Sequence, residues 1–204
     1  VSIDELMSEY GFEAVFIGSG AGLPMFMHIP GENLCGVYSA NEFLTRINLM
    51  KAYREDSDTP IMDLKGKKVA VVGGGDTACE EATYLASICR KVYMIVRKPH
   101  LRASKAMQER VFNTTNIEVM FNHNTAEVLG DESGVTGALL RCNDGKEVKI
   151  DIAGFFLAIG HHPNTELFAD QLTLDAEGYI KTEAGTSKTN IEGVFAAGDV
   201  RDPH

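Results

Sequence analysis

The feature that most constrains this 204-residue chain is a glycine triplet between a predicted strand and a predicted helix. Residues 69–72 (VAVV) form a short β-branched run of the kind that is buried on both faces of a parallel sheet. The turn that follows, residues 73–78 (GGGDTA), has the form G-x-G-x-x-A. Small apolar side chains then recur at helical spacing up to residue 89. This order predicts a β-α-β unit that binds a dinucleotide.

Each position of the turn has a physical role in holding a pyrophosphate. Gly73 permits the tight turn, Gly75 lets the backbone approach the ligand, and the small Ala78 keeps helix and sheet close together. The helix N-terminus adds free N–H groups and a positive potential. The turn residues that we predict to bind the cofactor are Gly73, Gly74, Gly75, Asp76, Thr77 and Ala78.

The residues after the second predicted strand (92–96) select between cofactors. An NAD site would place an acidic side chain there for the ribose hydroxyls. This chain instead has Arg97 and Lys98, followed by Arg102. Three cations suit a 2′-phosphate, since arginine grips phosphate in a bidentate fork. A solvated basic loop is the alternative, and we favour NADP(H) because the chain is otherwise acidic.

The remaining pattern predicts an α/β fold. A helix at 103–111 and a strand at 117–121 complete a β-α-β-α-β order, which implies a parallel sheet. Period-two segments at 125–129, 135–141 and 147–152 predict an antiparallel β-meander. Residues 154–160 read as one more buried strand, and apolar strands at 14–17 and 193–197 end at glycines. We therefore expect a Rossmann-like domain at 62–158 between two partial segments, 1–61 and 159–204.

Charge and cysteine content narrow the function classes. The 19 basic and 29 acidic residues give a net charge of −10, which argues against nucleic acid as a partner. We see no apolar run of the roughly 20 residues that cross a bilayer, and no leader, so we predict a cytoplasmic protein without a membrane partner.

The four cysteines form no C-x-x-C pair, and no histidine has a suitably spaced partner. We therefore expect no metal site.

At this point the chain resembles the flavoproteins that have two dinucleotide-binding domains. Residues 67–204 are similar to low-molecular-weight thioredoxin reductases through VAVVGGGDTACEEATYLA, RKPHLRASK, VTGALLR, FFLAIGHHPNTELF, GYIKT and TNIEGVFAAGDVRD. Residues 13–60 resemble instead the glutamate synthase small subunit. The resemblance implies that segments 1–61 and 159–204 are parts of an FAD-binding domain around an NADPH-binding domain.

The resemblance also implies roles for residues outside the glycine turn. Glu80 matches a helix acid near the nicotinamide, although an exposed helix carboxylate is an equally good interpretation. Ile159 and Gly160 match the strand end that returns to the flavin domain, and Gly20 lies in the glycine turn after the first strand. In the GVFAAGD motif, Asp199 matches the carboxylate that bonds the ribityl chain of FAD, and Gly198 permits close approach.

Two departures from the family pattern shape the functional expectation. The segment 36–43 (GVYSANEF) has no cysteine where thioredoxin reductases of this type carry C-x-x-C. The amino-terminal G-x-G-x-x-G that holds the FAD pyrophosphate does not occur in this sequence.

We expect the NADP(H)-binding portion of an oxidoreductase that passes hydride from NADPH to FAD. The alternatives are a catalytically inactive NADPH-binding module and, less consistent with GVFAAGD, an ordinary Rossmann dehydrogenase. A second copy or another partner would supply the missing FAD half-domain.

Overall fold

The structure is a computed structural model that describes residues 1–201, so that the end of the predicted segment 159–204 lies outside the described residues. The helices of the described part are α1 (Ile3–Ser8), α2 (Ala40–Asn48), α3 (Asp76–Ile88) and α4 (Lys105–Phe112), with a 3-10 helix at Glu166–Phe168. The strands are β1 (Val15–Ile17), β2 (Leu23–Pro24), β3 (Val37–Ser39), β4 (Lys68–Val72), β5 (Lys91–Val96), β6 (Ile117–Phe121), β7 (His123–Asp131), β8 (Gly134–Cys142), β9 (Glu147–Asp151), β10 (Gly154–Leu157), β11 (His161–His162) and β12 (Val194–Ala196).

The chain folds as two compact units. The first unit contains Val1–Pro24 and the segment from His161 onward, and the second contains Met25–Gly160. The second unit begins at Met25 and ends at Gly160, and β3 pairs with β10 inside its main sheet. The division into an NADPH-binding domain at 62–158 and FAD-domain segments at 1–61 and 159–204 stays a prediction.

The second unit is built on a parallel sheet in the order β3-β10-β4-β5-β6. The helices α3 and α4 connect β4 to β5 and β5 to β6, so the predicted β-α-β-α-β order is confirmed. The antiparallel meander is also confirmed as the sheet β7-β8-β9. The α/β fold class, with a parallel sheet and a meander, therefore stands as predicted.

Alternating side chains of β4 divide the core of this unit into two layers. Val69 and Val71 pack with the buried residues of α3, such as Leu85. Ala70 and Val72 face the other way, into a cluster with meander residues such as Leu140. Successive strand residues point to opposite faces, and here both faces are covered. The sheet is thus the middle layer between helices and meander.

The pair β3 and α2 was not predicted, and an aromatic cluster joins it to this sheet. Phe43 of α2 lies 4.9 Å from Phe156 of β10, ring centroid to centroid, in an edge-on arrangement. Tyr38 of β3 stacks on Phe156 at 5.8 Å. Ser39 begins α2, because its side chain accepts a hydrogen bond from the Glu42 backbone N–H at 3.1 Å. These contacts place residues 37–48 with the sheet.

The first unit has a small core of its own. Strands β1 and β12 lie in the two predicted flanking apolar strands and pair in parallel, which was not predicted. Strand β2 pairs with β11 in antiparallel fashion. The buried residues of its core are Ile3, Ile17, Leu172, Ile180, Val194, Ala196 and Val200. Phe16 of β1 is 68% exposed, and this leaves an aromatic ring uncovered on the strand pair.

The helices of the described residues are all too short or too polar to span a bilayer.

Candidate functional site

A cavity of about 280 Å³ opens where the main sheet of the second unit presents the carboxyl ends of its strands. Residues that follow β4, β5 and β10 line it together. Open α/β sheets bind ligands outside the carboxyl ends of their strands, where the chain order reverses, so this is the expected place for a site. The predicted residues that the cavity brings together are Gly73, Gly74, Arg97, Lys98, Arg102 and Ile159.

The backbone at Gly73 explains why the turn begins with glycine. Its φ of +144° is a conformation that side-chain-bearing residues rarely adopt. A Cβ at this position would lie 2.3 Å from the Ala158 carbonyl oxygen and 2.8 Å from the Ala78 Cβ. Ala78 is fully buried, so the small residue does hold helix and sheet close together. The turn therefore exposes backbone to the cavity at a point where no side chain fits.

Hydrogen bonds tie the basic loop after β5 to this turn. The Arg102 and Ala103 backbone N–H groups donate to the Gly74 carbonyl oxygen at 2.6 and 3.1 Å. Asp76, in the first turn of α3, accepts from the Ser104 hydroxyl at 2.8 Å and from its backbone N–H at 3.0 Å. These bonds from Ser104 hold the pKa of Asp76 below its usual value. The backbone of the loop at residues 102–104 is consequently held beside the glycine turn.

The cations of this loop form no ion pair with the described part of the chain. Arg97, Lys98 and Arg102 are exposed, and none of them forms an ion pair within residues 1–201. The side chains that line the cavity include no Asp or Glu from the described part of the chain. An uncompensated group of three cations favours an anionic ligand such as a phosphate.

Three further cavity residues were missed by the sequence analysis. His100, His123 and Thr125 line the same space. The imidazole of His123 is oriented by a 2.7 Å hydrogen bond from Nδ1 to the Phe121 carbonyl oxygen. Thr125 is 5% exposed, and its Oγ1 has no hydrogen-bond partner among residues 1–201. The period-two pattern predicts the meander, but nothing in it shows that the start of β7 reaches the carboxyl edge.

The other residues predicted for this site lie on α3 and beside β10. Gly75 precedes α3, Thr77 is exposed in its first turn, and Gly160 has a φ of +123°. Glu80 is exposed on α3 and does not line the cavity, whereas its neighbour Glu81 is 2% exposed. A role for Glu80 beside the nicotinamide stays a prediction.

The predicted flavin-side residues belong to the first unit. Gly198, with a φ of +77°, and Asp199 line an open cavity of about 860 Å³. Gly20, with a φ of +70°, accepts a 2.8 Å hydrogen bond from the Asn164 backbone N–H. The Ser19 hydroxyl also donates to the Asn164 carbonyl oxygen at 2.8 Å, so the glycine turn after β1 is held to the segment after β11.

Comparison with known proteins places this geometry in a family. The family model "Pyridine nucleotide-disulphide oxidoreductase" matches residues 3–204. The chain belongs to this family. NADPH-dependent thioredoxin reductase 3 of Arabidopsis thaliana is 50% identical over 149 residues, which are 72% of this chain and 28% of that protein. The mitochondrial thioredoxin reductase of Kluyveromyces lactis is 40% identical over 191 residues, 93% of this chain and 51% of that protein.

Solved structures agree with the sequence comparison. Lactococcus lactis thioredoxin reductase superposes with a TM-score of 0.78 at 27% identity, over 94% of this chain and 58% of that one. The chain spans between 28% and 60% of the length of eight curated thioredoxin reductases that it matches. The resemblance to thioredoxin reductases is therefore confirmed, while that of residues 13–60 to the glutamate synthase small subunit stays a prediction.

Within residues 1–201, no group of three or more His, Cys, Asp and Glu side chains could hold a metal ion.

Proposed function

We propose that the second unit binds NADPH in the cavity at the carboxyl edge of its main sheet. The observation that carries this proposal is the combination of two features in one cavity. Gly73 and Gly74 expose backbone to the cavity, and no side chain fits at Gly73. Arg97, Lys98 and Arg102 line the same cavity, and none of them forms an ion pair within residues 1–201. The Arabidopsis relative is named as NADPH-dependent, which supports this choice of cofactor.

The two features suit different phosphates of the cofactor. The glycine turn and the N-terminus of α3 provide backbone N–H groups for the pyrophosphate. The loop of residues 97–102 provides side chains for the 2′-phosphate, which NADH lacks. Thr125 adds a buried hydroxyl at the cavity wall, and its Oγ1 has no hydrogen-bond partner among residues 1–201. The residues present therefore fit NADPH better than NADH.

We further propose that the complete flavoprotein passes a hydride from NADPH to FAD. The cofactors carry that chemistry, and the protein positions them. In the first unit, Asp199 beside the positive-φ Gly198 offers a carboxylate to the hydroxyls of a flavin side chain. A cytoplasmic location and association with a second copy or another partner also remain part of the proposal.

We do not propose that electrons pass from FAD to a protein disulfide through a C-x-x-C dithiol of this chain. Residues 36–43 contain no cysteine, and the four cysteines of the chain form no C-x-x-C pair. Cys79 and Cys89 are buried, and burial raises the pKa of each thiol to about 11, which makes both poor nucleophiles. By itself, this chain is expected to hold NADPH without reducing a protein disulfide.

The proposal is tested by the affinities for NADPH and NADH of the unmodified chain and of Arg97→Ala/Arg102→Ala. A hydrogen bond to a charged group contributes about 1.5–3 kcal/mol net of the lost water contacts, so one such contact gives at least about tenfold discrimination. We expect NADPH to bind at least about tenfold more tightly than NADH, and the double variant to lose most of this preference.

Arg90→Ala/Arg110→Ala, which also removes two positive charges, is the matched control. Arg90 and Arg110 are exposed and do not line the cavity, so their removal changes the net charge of the chain without changing the site. Equal affinities of the unmodified chain for the two cofactors would refute the proposal. An equal loss of preference in the control and in the double variant would show that net charge alone sets the preference.

A further inference from the structure

Helices α3 and α4 end together at the edge of the main sheet that lies opposite the cofactor cavity. Each helix connects two parallel strands, so both run from the carboxyl edge of the sheet to its amino edge. Their last residues are Ile88 and Phe112, and the two helices pack against each other. The Asn116 side chain, which follows α4, donates to the Cys89 carbonyl oxygen at 3.1 Å. This bond ties the chain after α4 to the end of α3.

Large apolar side chains are exposed at this shared end. Tyr84 and Ile88, one turn apart on α3, are 40% and 36% exposed, and Phe112 of α4 is 58% exposed. A single exposed apolar residue is ordinary on a soluble protein, whereas grouped ones that polar residues surround mark interaction sites. Aromatic side chains are also enriched in protein interfaces. These three side chains therefore have the chemistry of an interface centre.

Exposed cations lie at the same edge of the sheet. The Gly66 backbone N–H donates to the Ile88 carbonyl oxygen at 3.5 Å, and the Arg90 backbone N–H donates to the Lys67 carbonyl oxygen at 2.8 Å. These bonds hold the segment before β4 beside the end of α3. The exposed cations of the two segments and of the last turn of α4 are Lys65, Lys67, Arg90 and Arg110. None of these cations forms an ion pair within residues 1–201.

The acids near this edge leave positive charge in excess. Glu118 of β6 forms a 2.9 Å ion pair with Lys91. The Asp63 carboxylate accepts a hydrogen bond from the Lys65 backbone N–H at 3.0 Å, and Glu109 is an exposed acid of α4. The negative end of a helix dipole also attracts cations. The dipole accounts for part of the charge at the ends of α3 and α4, but it does not account for the exposed apolar side chains there.

We propose that this end of the helix layer is the docking surface for a partner protein whose contact surface is acidic around an apolar centre. We name it the α3–α4 face, and it consists of Tyr84, Ile88, Phe112, Lys65, Lys67, Arg90 and Arg110. The apolar side chains form the centre of the contact, and the cations at its rim steer the acidic partner into place. The face lies at the amino edge of the sheet, so the partner does not compete with NADPH. The inference therefore goes beyond the proposed function.

The charge of the whole chain favours a folded protein over other polyanions as the partner. The chain has 19 basic and 29 acidic residues, so its surface outside the α3–α4 face is acidic on balance. An RNA strand or an anionic bilayer extends past the face and meets this acidic surface, which repels it. A folded protein presents its carboxylates to the face alone.

Binding to the full chain is measured by fluorescence anisotropy with a labelled amphipathic peptide of glutamate and leucine. The comparison probes are the same peptide with serine in place of leucine, single-stranded poly-uridine RNA, and vesicles that contain phosphatidylserine, which are followed by co-sedimentation. The charge variant is Arg90→Glu/Arg110→Glu. The matched control is Lys149→Glu/Lys181→Glu, which makes the same change in net charge at two exposed lysines outside the face. The circular dichroism spectrum and the NADPH affinity of each variant show whether it is folded.

We expect the glutamate–leucine peptide to bind the unmodified chain and the control with equal affinity. The charge variant should bind it at least about tenfold more weakly, because two attractive charges become repulsive. Raising the salt concentration from about 0.05 to about 0.5 M should also weaken binding, because salt screens exposed charges. A second variant, Tyr84→Gln/Phe112→Gln, should weaken binding of the glutamate–leucine peptide and leave that of the glutamate–serine peptide unchanged, because only leucine gains from burial against these side chains.

Four results would overturn the inference: no binding of the glutamate–leucine peptide, an equal loss of affinity in the control, unchanged binding in the second variant, or tighter binding of RNA or vesicles than of the peptide. Absence of NADPH binding by the unmodified chain would contradict the proposed function alone, because the α3–α4 face does not line the cofactor cavity.

Discussion

Replacing Glu81 by glutamine is expected to stabilise the protein at alkaline pH and not at acid pH. Glu81 lies on α3 with 2% of its surface exposed, and its Oε1 has no hydrogen-bond partner within residues 1–201. Burial, with a smaller contribution from the charge of Glu80, raises the pKa of Glu81 from 4.5 to about 7. The folded state therefore resists ionisation of this carboxyl.

The size and sign of the effect follow from this shift. Below the unfolded pKa of 4.5, the carboxyl is protonated in both states, so it adds no dependence on pH. As the pH rises from 4.5 to about 7, the unfolded state loses its proton first and stability falls. Above pH 7 the raised pKa of Glu81 lowers the free energy of unfolding by its full amount, about 3 kcal/mol. Glutamine cannot ionise, so Glu81→Gln removes this pH-dependent cost.

Urea unfolding followed by circular dichroism at about pH 5 and about pH 8 measures the effect. The quantity to compare is the difference in the free energy of unfolding between the variant and the unmodified chain, measured at each pH. A cost of burying the glutamine amide that does not depend on pH cancels when the two differences are subtracted. Glu109→Gln, at an exposed glutamate of α4, is the matched control and should show no such change. An equal effect of Glu81→Gln at both pH values would refute the reasoning.

Three further outcomes are expected. Gly73→Ala should weaken NADPH binding more than about tenfold, because the added Cβ would lie 2.3 Å from the Ala158 carbonyl oxygen. Binding assays that show no loss of affinity would contradict the role of the glycine turn. The purified chain should be colourless and bind FAD no more tightly than the high-micromolar range, about 5–6 kcal/mol, and a yellow preparation with stoichiometric FAD would contradict this. NADPH-dependent reduction of thioredoxin should be absent even with added FAD, and a measured turnover would show that a dithiol outside a local C-x-x-C serves the flavin.

The local patterns predict the central part of the fold well. The β-branched run at 69–72, the glycine turn and the alternating segments of the meander each have a period or a turn chemistry of their own, and each stands in the structure as β4, the start of α3 and β7 to β9. The basic residues after β5 also lie at the predicted edge, because parallel strands end at the same side of the sheet.

The missed features depend on contacts between distant parts of the chain. Strand β3 is three residues long and pairs with β10, which follows more than a hundred residues later, so no local signal marks its place in the sheet. Adjacent acids on α3 differ in the same way: Glu80 is exposed and Glu81 is buried, and only the packing around the helix distinguishes them. His123 lines the cavity because the chain turns at Asn122, and no local sequence pattern predicts that turn.

The most direct test of the central claim is to locate the NADPH site by amide chemical-shift mapping. In a titration of isotope-labelled chain with NADPH, we predict that the largest shifts fall at Gly73, Gly74, Arg97, Arg102 and His123, which line one cavity of the second unit. NADH should perturb the glycine turn and leave residues 97–102 less affected. Shifts confined to other surfaces, or identical shifts at residues 97–102 with both cofactors, would contradict the claim that this cavity recognises the 2′-phosphate.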